Sequence, residues 1–169
     1  MKKIIALALT ILMLAGTTGC SQNTTTPETP SGQTSGGEAN SEGEKSDLTL
    51  EEMMEALLAD VNIEMATVNT EITDERFSWF FEIDPIEGAK ALASEAMMNS
   101  IAHYIAILEL PEGVDVAQTA TDIEGKLDPR KWICVEAEKT IVKYSGNRIL
   151  VIVSFADIAD QVAANFEAL

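Results

Sequence analysis

The first hydrophobic pattern in the folded part of the chain predicts an amphipathic helix beginning near residue 50. Thr49 is followed three residues later by Glu52, the spacing of a capping box, and Leu48 is placed to pack against Met53. Apolar residues then recur at helical spacing, at Leu50, Met53, Met54, Leu57, Leu58 and Val61. We expect this stripe to face a core, because acidic residues occupy the opposite side of the helix.

Three more helices are predicted by the same periodicity. One follows Thr73 and ends at Asp84-Pro85, another begins near Asp115 and ends at Asp128-Pro129, and the last closes the chain. Their expected inward residues are Phe77, Phe80 and Phe81 in the first, Val116, Ala120, Ile123 and Leu127 in the second, and Ile158, Val162, Phe166 and Leu169 in the third. Trp79 lies off the Phe face, and we expect it to cover the helix edge, half-buried, an exposed contact residue being the alternative.

Strand-forming segments predict two hairpins. The clearer one joins residues 139–144 to 148–155 through Gly146-Asn147, a two-residue turn signal. The other joins 89–96 to 101–110; propensity alone favours a helix over 89–96, but the short connection favours a strand. Residues 62–72 are expected to be extended. The fold class predicted is therefore α+β, an antiparallel sheet of about four strands packed with amphipathic helices.

Strand alternation places apolar residues on both faces of this predicted sheet. One face carries Tyr104 and Val151, and the other carries Ile101, His103, Ile105, Ile107, Ile141, Leu150 and Ile152. In a two-layer fold the second face should be polar, which it is not. Two accounts stay open: helices cover this face as well, or it is a docking face for a membrane-proximal protein partner.

The N-terminal residues have the anatomy of a lipoprotein signal peptide. Lys2 and Lys3 precede an apolar run too short to span a bilayer comfortably, and small residues lead to Cys20. This arrangement resembles the bacterial lipobox, although Thr17 stands where leucine is usual. We therefore assign residues 1–19 as signal peptide and Cys20 as the diacylated N-terminus, an ordinary cleaved signal being the alternative.

Residues 20–46 contain the predicted lipidated Cys20 and a disordered tether rich in Ser, Thr, Gly and Glu. No apolar residue of the tether is larger than Ala39, so it cannot form a core. Its root-mean-square reach is roughly 28 Å for a flexible chain of this length. Residues 47–169 are then expected to form a single α+β domain.

The chain is strongly acidic, with 28 acidic and 11 basic residues and a net charge of −17. Such a charge repels nucleic acid and anionic lipid, so no nucleic-acid partner is expected. There are two cysteines, and if Cys20 carries lipid, Cys134 has no intramolecular partner.

Catalytic signatures are sparse. His103 is the single histidine and no Gly-x-Ser-x-Gly elbow is present, so we expect no catalytic residues, metal site or cofactor. A Cys134–His103 dyad is the weaker alternative, since Trp132–Val135 reads as a buried strand in which a thiol is inert. The acidic pairs Glu136/Glu138 and Asp157/Asp160 are compatible with Ca²⁺ binding or acid–base work, but acidic residues are abundant enough for chance to explain them.

Several short motifs, spread over about Leu48 to Phe155, resemble a known family. They are Glu82-Ile83-Asp84-Pro85, Met97-Met98-Asn99 and a hairpin over Lys143 to Arg148. Together with the signal and tether they are similar to small Gram-positive lipoproteins of the domain-of-unknown-function 4358 family. The resemblance implies a strand at Ala89–Ala96, which we adopt, and no known activity.

The sequence predicts a membrane-anchored extracytoplasmic lipoprotein on the outer face of the bacterial cytoplasmic membrane. The hypothesis we prefer is a non-enzymatic interaction or accessory domain, held to membrane lipid through diacylated Cys20. The alternatives are a small-solute or cation binding module and a carboxylate-based cell-wall hydrolase. A cleft with two facing carboxylates about 5–9 Å apart would favour the hydrolase.

Overall fold

The computed structural model describes residues 47–169; the predicted signal peptide, Cys20 and the tether lie outside the described residues. The elements of the described part are α1 (Leu50–Leu58), β1 (Thr67–Glu71), α2 (Asp74–Phe81), β2 (Lys90–Ala96), β3 (Tyr104–Glu109), α3 (Val116–Glu124), β4 (Lys139–Ser145), β5 (Arg148–Ser154) and α4 (Ala156–Ala168). Among these helices, none has the length and hydropathy needed to cross a membrane.

The strands form one antiparallel sheet in the order β1-β2-β3-β5-β4. The predicted α+β class is thus confirmed, and both predicted hairpins, β2–β3 and β4–β5, are present. The sheet has one strand more than expected, because the extended segment before α2 pairs with β2 as the edge strand β1. The segment 89–96, ambiguous by propensity, forms strand β2.

Helices cover both faces of the sheet. Helices α2 and α3 enclose one core layer, in which Phe77, Phe80, Phe81, Ala120 and Ile123 pack with Tyr104, Ala106 and Val151. Helices α1 and α4 enclose the other layer, in which Met53, Met54, Leu57, Val162 and Phe166 pack with Ile105, Ile107, Leu150 and Ile152. This arrangement explains why neither sheet face is polar: the inner strands β3 and β5 are covered by helices on both sides.

Of the two accounts left open for the face of Ile101, His103, Ile105, Ile107, Ile141, Leu150 and Ile152, coverage by helices is confirmed and the possible docking face is wrong. Ile105, Ile107, Leu150 and Ile152 are completely buried, His103 is buried, and Ile141 packs against the same layer. The physical reason is that the amphipathic stripes of α1 and α4 need an apolar surface, and this sheet face supplies it. Ile101 lies before β3, half-buried in the β2–β3 connection.

Local signals account for the element ends that the sequence predicted. The Glu52 backbone N–H donates to Thr49 Oγ1 over 3.2 Å and Glu52 Oε2 accepts from the Thr49 N–H over 2.8 Å, so the capping box of α1 is complete. Asp115 caps α3 by accepting from the Gln118 N–H. Gly146 adopts a positive φ of 56° in the tight β4–β5 turn, a conformation that glycine adopts without strain.

The strand expected at Trp132–Val135 is absent, and this prediction was wrong. The segment lies in the loop between α3 and β4, where Ile133 is 88% exposed and Cys134 has a φ of 75°. A positive φ is incompatible with a strand. The Ala137 N–H donates to the Pro129 carbonyl over 3.0 Å, so the loop closes on itself instead of pairing with the sheet.

Candidate functional site

The two ends of the sheet differ in what they expose. The last residue of β2, the first of β3 and the last of β5 lie at one end, as their register shows. Large exposed hydrophobic side chains gather there, and we call their set the apolar end: Val68, Trp79, Met97, Met98, Ile133 and Phe155. Six of the seven exposed large hydrophobic residues in the described part belong to it, the exception being Leu169.

A cleft of about 490 Å³ opens at the apolar end. Its apolar wall is formed by Trp79 of α2, Met98 of the β2–β3 connection, and Trp132 and Ile133 of the α3–β4 loop. Its polar lining residues are Glu75, Arg76, Glu95, Asn99, His103 and Lys131. Both tryptophans of the chain line this cleft, so a helix edge and a loop distant in sequence build it together.

Lys131 fixes the loop that carries Trp132 and Ile133. Its side chain is only 8% exposed, and its Nζ forms an ion pair with Glu82 Oε1 over 2.9 Å. The same Nζ donates to the Trp79 carbonyl and to Tyr104 Oη. Burial lowers the pKa of Lys131, and Glu82 opposes that shift. Because the ammonium is satisfied on every side by α2 and β3, the loop is held against α2.

The ammonium of Lys131 also lies over two aromatic rings. It is 4.7 Å from the Trp79 ring centroid and 4.9 Å from that of Tyr104. Trp132 contacts both rings, at centroid distances of 5.9 Å and 6.0 Å. The buried Tyr104 hydroxyl donates to the Phe80 carbonyl over 2.8 Å, and burial raises the pKa of Tyr104. These contacts preorganise Trp79, which is 39% exposed at the edge of α2.

A bidentate ion pair crosses the floor of the cleft from α2 to β2. Arg76 donates to both carboxylate oxygens of Glu95 over 2.9 Å and 2.8 Å, and its guanidinium lies 4.9 Å from the Phe80 centroid. The hydrogen bonds to Glu95 raise the pKa of Arg76. Both carboxylate oxygens of Glu95 are thus engaged by one guanidinium, which fixes this side chain against α2.

His103 is a buried structural residue with one unused nitrogen. It lies opposite Ser154 on the α1/α4 side of the sheet, and the distance from Nδ1 to Ser154 Oγ is 2.6 Å. Its Nε2 has no hydrogen-bond partner within residues 47–169, and the same holds for Ser94 Oγ. Burial lowers the pKa of His103 to about 4, so the ring is neutral at pH 7.

The Cys134–His103 dyad does not form in the described structure. Cys134 is exposed in the α3–β4 loop, and the His103 nitrogens make no hydrogen bond to it. A nucleophile and its base need such a bond. The expectation that Cys134 is buried in a strand was wrong, because its side chain is exposed.

The acidic pairs that the sequence singled out have separate structural contacts. Glu138 accepts from the Ala156 N–H at the start of α4 over 3.0 Å, and Asp160 pairs with Lys139. Glu138 and Asp157 line a second cleft of about 450 Å³ with Ile101 and Phe155. No group of three or more His, Cys, Asp or Glu side chains within residues 47–169 is arranged to hold a metal ion.

The opposite end of the sheet, which we call the polar end, uses its charges internally. Arg148 of β5 donates to Glu109 Oε2 through Nε and Nη2 over 3.1 Å and 2.9 Å. Its Nη2 also donates to the Leu48 carbonyl, just before α1. Arg148 is 6% exposed as a side chain, so this cluster seals the end at which the described chain enters the fold.

Searches of family models, curated proteins and solved structures found no match to the chain. The resemblance to the small Gram-positive lipoproteins accordingly stays a prediction.

Sequence reasoning missed the centre of this site, the loop residues Trp132 and Ile133. Their neighbours Cys134 and Val135 extend them into an apolar run that resembles a buried strand. The signal that distinguishes a loop was present in Asp128-Pro129-Arg130-Lys131, because a lysine beside a tryptophan is a poor start for a buried strand. The partners of that lysine, Glu82 and Tyr104, are distant in sequence.

Proposed function

We propose that this chain is a lipoprotein anchored by lipid to the outer face of the bacterial cytoplasmic membrane, and that residues 47–169 are a non-enzymatic interaction domain. The apolar end is its binding surface. The observation that supports this most is the gathering of six exposed large hydrophobic side chains at that end. Exposed apolar residues scattered singly need no explanation, but a concentration at one end of a sheet, with Trp79, Met98 and Ile133 lining one cleft, is typical of interaction sites.

The composition of the apolar end favours a protein as the partner. Tryptophan, methionine and arginine are enriched in protein interfaces, and Trp79, Met98 and Arg76 lie around one cleft. The surrounding charge is acidic, which disfavours anionic lipid and nucleic acid. A partner with basic residues around an apolar contact would complement both features.

The position of the chain entry supports the same function. Leu48 is held by Arg148 at the polar end, and strands of six or seven residues separate this point from the apolar end. At about 3.3 Å per residue, the separation is roughly 20 Å. The described chain therefore enters the fold roughly 20 Å from the proposed binding surface, so Leu48 does not cover that surface.

Recovery of membrane-retained proteins from the native cell tests this proposal. Ile133→Asp should abolish recovery without lowering the melting temperature, because Ile133 is 88% exposed. Leu169→Asp is the matched control: it places the same charge on the one exposed large hydrophobic residue outside the apolar end. Equal recovery by both variants would contradict the proposal.

Anchoring is tested separately at Cys20. Cys20→Ala should release the protein into the medium or leave it uncleaved, because the lipid acceptor is missing. Unchanged membrane retention of a correctly cleaved Cys20→Ala protein would exclude the lipoprotein assignment, and it would leave the interaction proposal intact.

A small-solute binding module is the second candidate, and the volume of the cleft supports it. About 490 Å³ lies within the range of small-molecule sites, and the cleft combines aromatic rings with fixed charges. Since Trp79 and Trp132 are the only tryptophans, their fluorescence reports on the cleft directly. A saturable change on titration with wall-sugar oligomers, at concentrations where no protein partner binds, would favour this candidate over the first.

A further inference from the structure

The edge strand β1 leaves a row of backbone groups without partners inside the fold. The Ile72 N–H donates to the Ala91 carbonyl, and the Met97 N–H donates to the Ala66 carbonyl. Antiparallel pairing alternates, so residues 68 and 70 also direct their backbone groups to β2. The backbone groups of Thr67, Asn69 and Glu71 therefore point away from the sheet, and within residues 47–169 they have no hydrogen-bond partner.

The two edges of the sheet are protected to different degrees. The β4 edge carries Lys139 and Lys143, which pair with Asp160 and Glu167 of α4, and helices α3 and α4 both contact this strand. Lysines and covering helices are ways in which proteins block edge-to-edge pairing. Strand β1, by contrast, contains no lysine or proline and packs mainly against β2. Its Val68 is 44% exposed.

We propose that β1 accepts an extended segment of the partner protein as a sixth strand. The inference rests on the proposed function and adds the mode of binding. The β1 edge adjoins the apolar end, since Val68 belongs to that end and lies opposite Glu95, which lines the cleft. Strand addition uses backbone hydrogen bonds for affinity and alternate side chains for specificity.

The side chains beside β1 define the chemistry of the added segment. On one sheet face lies the exposed Val68, which favours an apolar or β-branched residue opposite. On the other face, Glu71 and Glu51 line a shallow cleft of about 360 Å³ together with Lys90, which reaches Glu109. Glu51 and Glu71 form no ion pair with any described residue. A lysine or arginine opposite Glu71 would supply the missing charge.

These two requirements fix a spacing. Positions 68 and 71 are three residues apart and face opposite sides, so the segment should carry its β-branched residue and its basic residue three positions apart. The chain's own tether does not fit, because it lacks bulky apolar residues and is acidic apart from Lys45. A second copy of the chain would bring the same net charge of −17.

Selection of displayed random decapeptides on the full-length chain in detergent micelles tests the proposal. We expect enriched peptides with lysine or arginine three positions from valine, isoleucine or threonine. A synthetic copy of the most enriched peptide should slow hydrogen exchange of the Thr67, Asn69 and Glu71 amides at least tenfold. Protection confined to the Trp79–Trp132 cleft would overturn strand addition and leave the proposed function standing.

Two substitutions of Asn69 distinguish the contribution of its backbone N–H to peptide binding from that of its side chain. Asn69→Pro removes an outward N–H without removing a bond to β2, and should weaken binding of that peptide at least tenfold. Asn69→Val keeps the N–H and should bind as the unchanged chain does. Equal binding by both variants would contradict the proposal. Since Asn69→Pro can fail to fold, a peptide N-methylated at alternate residues tests the same bonds on the unaltered protein, and should not bind.

Sedimentation of the same samples tests whether a second copy of the chain, and not a foreign segment, pairs with β1. A dimer of the full-length chain that Asn69→Pro dissociates would show that β1 pairs with a second copy. That result would overturn the assignment of a foreign segment.

Discussion

The two ends of the sheet carry the same kind of ion pair and use it differently. At the polar end Glu109 binds Arg148, whose side chain is 6% exposed and also holds the Leu48 carbonyl. At the apolar end Glu95 binds Arg76, whose side chain is 40% exposed beside an open cleft. The first pair completes the fold at the chain entry. The second lies beside the exposed side chains of Trp79 and Met98, so water competes for its charges and it contributes less to stability.

The largest expected effect on stability is the difference between a charge placed in the core and the same charge placed at the apolar end. Ile152→Asp places a charge without a partner in the layer between the sheet and α4, and should cost several kcal/mol or prevent folding. Ile133→Asp introduces the same charge at the apolar end and should change the free energy of unfolding by less than about 0.5 kcal/mol. Denaturant unfolding of both variants measures the difference. A folded Ile152→Asp protein of normal stability would contradict the burial of this sheet face and would support its use as a docking surface.

The next effect tests the polar end. Glu109→Ala leaves the buried guanidinium of Arg148 without its carboxylate, and should cost about 2–4 kcal/mol. Lys90→Ala removes the exposed, 3.9 Å partner of Glu109 and should cost almost nothing. Denaturant unfolding measures both changes. Equal losses of unfolding free energy for the two variants would show that the ion pair of Glu109 with Arg148 does not stabilise the polar end.

His103 predicts a dependence of stability on pH. Its pKa is about 4 in the folded chain, below its ordinary value of 6.5, so the unfolded chain binds more protons between these values. The stability associated with neutral His103 is complete above pH 6.5 and decreases as the pH falls to about 4, by up to about 3 kcal/mol. His103→Asn removes this contribution. Identical pH profiles for the two proteins, measured by urea unfolding, would contradict it.

The smallest expected effect tests the exposed ion pair. Arg76→Ala should cost about 1 kcal/mol or less, since 40% of this side chain is exposed and water competes for both charges. The loss should shrink further at 0.5 M salt. A cost as large as that of Glu109→Ala, measured in the same way, would remove the distinction between the two ends.

What the sequence predicted correctly depended on neighbouring residues. Thr49 and Glu52 lie three positions apart, and Gly146-Asn147 joins adjacent strands, so local geometry decides both features. The face that carries Ile105 and Ile152 is covered by α1 and α4, the first and last elements of the described chain. A pattern within a short stretch of sequence cannot predict contacts between elements so far apart in the chain. The α3–β4 loop was missed for the same reason, because Lys131 finds Glu82 and Tyr104 only in the folded chain.

The central claim is that partners contact the apolar end, and site-specific photo-crosslinking in the native cell tests it most directly. A photoreactive residue at position 133 should form a discrete crosslinked product with a membrane-retained protein. The same residue at the exposed position 112, in the loop after β3 at the polar end, should not. Crosslinking from position 112 but not from position 133, or from neither, would contradict the account.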